Sequence, residues 1–130
     1  MSDIAEQVHK KFKVFTGALG QEGDLGSLAH EIEAWVRSAS VAPKSIGVEY
    51  IESAGKLLLS VGYRDDEAPY AVRLTAKKIG KVGNLDAAGL EHLETLIAQA
   101  GVGLAGIICH ELFVTTDRDL LMVFMTHDAG

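Results

Sequence analysis

The sequence predicts an α+β fold in one domain, residues 1–130: two N-terminal helices, then a five-stranded, mainly antiparallel sheet interrupted by one helix, in the order α-α-β-β-β-α-β-β. Three observations carry this. Apolar residues recur at helical spacing ahead of Pro43. Apolar and polar residues alternate in three runs between Ile46 and Lys77. The stretch from Leu104 to His127 is the densest apolar run and reads as two strands joined at Thr116-Asp117-Arg118-Asp119.

Taken in order, Asp3 and Glu6 form a capping pair ahead of Ile4, Val8, Phe12, Phe15 and Leu19. That spacing places one apolar stripe on a helix over residues 3–18. Gly17, Gly20, Gly23 and Gly26 follow as a flexible connection. A phosphate-cradling loop would need a strand before these glycines and a lysine among them, whereas a helix is expected before them and no lysine lies among them. Asp24 caps a second helix with the stripe Leu25, Leu28, Ile32, Trp35, Val36 and Ala39, which Pro43 ends.

Ile46, Val48 and Tyr50 then alternate with Gly47 and Glu49. Leu57, Leu59, Val61 and Tyr63 alternate with Leu58, Ser60 and Gly62, after a turn over Ser53-Ala54-Gly55-Lys56. Asp65 to Pro69 is a solvated acidic turn, without the spacing or central glycine of a calcium loop. A third strand alternates over residues 70–77, so the meander has one oily and one wet face. A helix starts near Asp86, with Leu90, Leu93, Leu96, Ile97 and Ala100 inward and Gly101 past its end. The closing hairpin completes the chain.

Composition narrows the function classes. A hydrophobic share of 48% and a charged share of 23% are those of an ordinary globular domain. A net charge of −6 argues against nucleic acid, whose binding needs a positive face. The basic groups Lys10, Lys11, Lys13 and Arg73, Lys77, Lys78, Lys81 lack the interleaved aromatics that stack on bases. No apolar run approaches a membrane span, and Met1–Glu6 has no signal-peptide pattern. Together with the lone Cys109, this predicts a cytoplasmic protein.

The tempting motifs fall to context. Gly101-Val102-Gly103-Leu104-Ala105-Gly106 has the letters of a dinucleotide loop, but a helix precedes it and a strand follows, the reverse of what pyrophosphate binding needs. Cys109-His110-Glu111 has the residue types of a nucleophile, base and orienter. On a strand, however, Cys109 and Glu111 share one face and His110 points away. Among His9, His30, His92, His110 and His127 no pair has metal-ligand spacing, although a suitable register would set His110 opposite His127. Glu111 lies among apolar neighbours and calls for a partner, with Arg73, Lys77 and Lys78 as candidates. No catalytic residue, metal site or cofactor is expected.

Both faces of the closing hairpin are apolar, so both must be covered. The sequence therefore points to a non-catalytic binding or assembly module, chaperone-like or adaptor-like, that forms a homodimer and takes a protein partner. Leu121, Met122, Val123 and Met125 are the candidate interface residues. The alternative is a small-molecule-binding protein or enzyme with a pocket between the sheet and the N-terminal helices, using Tyr50, Tyr63, His110 and Glu111 as ligand-binding groups. The order helix, three strands, helix, two strands is similar to that of type III secretion chaperones, a family of small acidic dimers, which implies a dimer here. The additional N-terminal helix and the lack of a C-terminal helix depart from that pattern.

Overall fold

A strand with a partner along each side decides the architecture. The computed structural model describes residues 11–19 and 23–128. Its elements are β1 (Lys11–Ala18), α1 (Asp24–Ala39), β2 (Ala42–Ile51), a 3-10 turn (Glu52–Ala54), β3 (Lys56–Arg64), β4 (Val72–Lys81), α2 (Ala87–Ala100), β5 (Ile107–Val114) and β6 (Asp119–His127). The strands form two three-stranded antiparallel sheets, ordered β1-β3-β2 and β4-β6-β5.

This corrects the expected α-α-β-β-β-α-β-β order with one five-stranded sheet. Residues 11–18 are a strand, and the rest of the expected first helix, with Asp3 and Glu6, lies outside the described residues. The helical stripe misled because Phe12 and Phe15, which share a face on a helix, fall on opposite faces of the strand, Phe12 exposed and Phe15 buried. Lys11-Phe12-Lys13-Val14-Phe15-Thr16 is rich in aromatic and β-branched residues, which suit a pleated surface. Pairing with β3 along the whole strand, from Lys11↔Tyr63 to Ala18↔Lys56, overrides helix periodicity.

That pairing also splits the sheet. With β1 on one side of β3 and β2 on the other, no edge remains for β4, which pairs with β6 instead. The chain leaves β3 through the acidic turn, held by Arg64–Asp66 (2.7 Å), Lys44–Glu67 (2.6 Å) and Lys11–Asp65 (2.7 Å).

Both helices have identifiable ends. α1 starts at Asp24 behind Gly23, whose φ of 93° a glycine adopts without strain, so Gly23 rather than Asp24 is its N-cap residue. In α2, the Asp86 carboxylate accepts the Gly89 N–H at 2.8 Å, as its position ahead of the helix suggested.

Two cores follow from the alternation. The larger joins the inner face of the first sheet (Phe15, Ile46, Leu57, Leu59, Val61), α1 (Leu28, Ile32, Val36) and one face of the second sheet (Val72, Leu74, Phe113, Val123, Met125). Trp35 is wedged edge-on between Phe15 and Tyr63, with ring centroids 5.7 and 5.1 Å away. The smaller core sets Ile79, Leu120, Met122 and Phe124 against Leu93, Leu96 and Ile97 of α2. Strand β6 is therefore the centre of its sheet, covered on one face by the first sheet and α1 and on the other by α2.

Candidate functional site

The strand register sets out the two faces the cores leave open. On the outer side of the first sheet, Val14 of β1, Ser60 of β3 and Gly47 of β2 lie in one row across the strands. Thr16, Leu58 and Glu49 form the next row. Gly47 and Ser60 contribute almost no side chain, so a trough of about 290 Å³ opens along the row between Val14 and Leu58. Strand β5 adjoins β2 and brings Glu111 to its far end. A Cβ on Gly47 would stand 2.9 Å from Ser60 Oγ, too close to be tolerated without a shift. Phe12, Val14 and Leu58 are 63%, 56% and 38% exposed on this face.

The second open face belongs to the closing hairpin. Lys77 of β4 donates to the carbonyl of Ala100 at 2.8 Å, which ties the C-terminal end of α2 over the β4 side of the sheet. The outer side of β5 is left bare: Ile107, Leu112 and Val114 are 44%, 41% and 44% exposed, and His110 is exposed beside them. No residue of α2 is fully buried either.

The residues singled out in the sequence are dispersed. Met122, Val123 and Met125 are buried in the chain's own cores, and Leu121 is partly buried against the larger one. Tyr50 accepts a hydrogen bond from Thr116 Oγ1 at 3.1 Å, and Tyr63 stacks on Trp35. His110 lies on the outer face of β5 opposite Phe124, and only Glu111 lines the trough. The four do not converge. Between α1 and the two sheets, Leu25, Leu28, Ile32, Leu74 and Val123 enclose a space of only about 20 Å³.

Cys109 and His110 point to opposite faces, as strand geometry requires. The thiol is half-buried with its sulfur 4.0 Å from Met125 Sδ, and burial pushes its pKa up. His127 is opposite Val72, not His110, and stacks on Tyr70 with centroids 4.6 Å apart. The expected cations do not reach Glu111, because β6 separates β4 from β5. Arg73 pairs with Asp128, Lys77 caps α2, and Lys78 pairs with Asp119. Among the described residues no group of three His, Cys, Asp or Glu side chains is placed to hold a metal ion. Nor, among them, is any helix long and apolar enough to cross a membrane.

No protein-family model, no curated protein and no solved structure matches this chain.

Sequence reasoning overlooked Val14, Gly47, Leu58 and Ser60, although each left a trace. Leu58 is a large apolar residue on the wet face of an alternating strand, and Gly47, Ser60 and Gly62 are small residues in strand interiors, where a glycine signals close approach.

Proposed function

We propose that this protein is a non-catalytic assembly module that works as a homodimer, with the outer face of β5 as the contact. The observation that carries this reading is the bare row Ile107, Leu112 and Val114 beside a helix with no fully buried residue. Exposed apolar patches of this kind mark interaction sites. A second copy suits the patch because a two-fold contact sets the same surface against itself. The outer side of β5 carries no carboxylate or ammonium group, so two copies, each with a net charge of −6, meet there without like charges on the facing strands. A cytoplasmic location agrees with the free thiol of Cys109.

Light scattering of the wild type and of the Leu112→Glu, Val114→Glu double variant tests this. The expected result is a mass near twice 13.9 kDa that falls to one chain in the variant, with an unchanged circular dichroism spectrum. A wild-type mass of one chain at every concentration overturns it.

A further inference from the structure

The trough on the first sheet is separate from the β5 contact and differs from it in chemistry. Its walls, Val14 and Leu58, are aliphatic, and its floor is the row of Ser60 and Gly47. At the end towards β5 it holds two carboxylates, Glu49 and Glu111. Neither has a hydrogen bond or ion pair among the described residues. Lys11, Lys44 and Arg64 pair with Asp65, Glu67 and Asp66, while Lys56, two residues from Leu58 on the same face of β3, has no ion pair among the described residues and flanks the trough.

We infer that this trough docks a basic segment of a partner polypeptide, with a lysine side chain laid along it. A lysine side chain joins a four-carbon apolar stem to a charged head. The stem would lie between Val14 and Leu58, and the ammonium group would reach the two free carboxylates. Gly47 keeps the floor open, since a side chain there would press on Ser60. The occupant is a polypeptide rather than a free amine because the trough is open along its length. A small cation held there stays largely hydrated and gains little from exposed carboxylates. A chain adds flanking contacts, for which exposed Phe12 extends the apolar surface on the same side of β1.

The test is a titration of the full chain, followed by amide NMR, with three probes: the peptide acetyl-Ala-Lys-Leu-Lys-Ala-amide, its counterpart with norleucine in place of each lysine, and 1,5-diaminopentane. The expected result is that the lysine peptide alone shifts the amides of Val14, Gly47, Leu58 and Glu111. Its Kd should rise about tenfold in the Glu49→Gln, Glu111→Gln double variant, equivalent to about 1.4 kcal/mol, and should rise with salt. The amide spectrum of the double variant checks that its fold is intact, and Leu58→Lys, which supplies a competing ammonium, should block the peptide by a second route. The inference is overturned if the lysine peptide gives no shifts, if the norleucine peptide or the diamine binds as well, or if the double variant binds with unchanged affinity. The Leu112→Glu, Val114→Glu variant should bind the peptide normally, so the failure of one proposal leaves the other intact.

Discussion

Truncating Val123 to alanine tests the placement of β6 at the centre of its sheet. Val123 is 3% exposed and faces the larger core, opposite Ala76 on β4 and Glu111 on β5. The change removes two carbon groups at about 0.8 kcal/mol each, or about 1.6 kcal/mol of burial. The vacated volume adjoins the existing space of about 20 Å³ bordered by Leu28, Ile32 and Leu74. If roughly 40 Å³ stays empty after relaxation, a cavity cost of about 24 cal/mol per Å³ adds about 1 kcal/mol. The expected loss is therefore about 2.5 kcal/mol. Urea unfolding followed by circular dichroism should show a lower midpoint at unchanged slope. A loss below about 0.5 kcal/mol, the size of an ordinary surface substitution, would refute the placement.

Three further outcomes follow from the local chemistry. Asp86→Ala removes the carboxylate that accepts the Gly89 N–H and should cost about 1 kcal/mol, read by thermal unfolding; no change would mean that the cap is idle. Burial raises the pKa of the Cys109 thiol, so at neutral pH it should react with a disulfide reagent more slowly than a free thiol, and equal rates would contradict that environment. The hydrogen bond from Lys81 holds the Asp119 carboxyl below its ordinary pKa, with Lys78 adding to the effect. Its contribution is then complete above the unfolded value of about 4 and is lost as pH falls through the lower folded value, so Asp119→Asn should flatten the acid limb of the stability profile.

Most of the chain was legible because its patterns had one solution. The stripe from Leu25 to Val36 could only be a helix. The alternation from Leu57 to Tyr63 could only be a half-buried strand, and Asp86 stood where a cap must stand. Residues 11–18 were not, because Phe12 and Phe15 lie at helical spacing and the pairing with β3 that makes the segment a strand is non-local. The same pairing, invisible in sequence, closed β3 to β4 and divided one expected sheet into two. Of the hairpin expected to be covered on both faces, only β6 is; the outer side of β5 stays exposed. What covers β6 came from that division, so Met122, Val123 and Met125 became core while the open surface moved one strand over, to Leu112 and Val114. Glu111 needed the strand order too: Arg73 and Lys77 lie two strands away from it.

The most direct measurement of the central claim is a distance between two copies. With Cys109 replaced by alanine and a spin label attached through His110→Cys, the β5 contact brings the labels of two copies face to face. Strong dipolar coupling is expected between them, and weaker coupling from a label attached through Glu52→Cys, in the turn between β2 and β3. No coupling from position 110, or stronger coupling from position 52, would contradict assembly through this face.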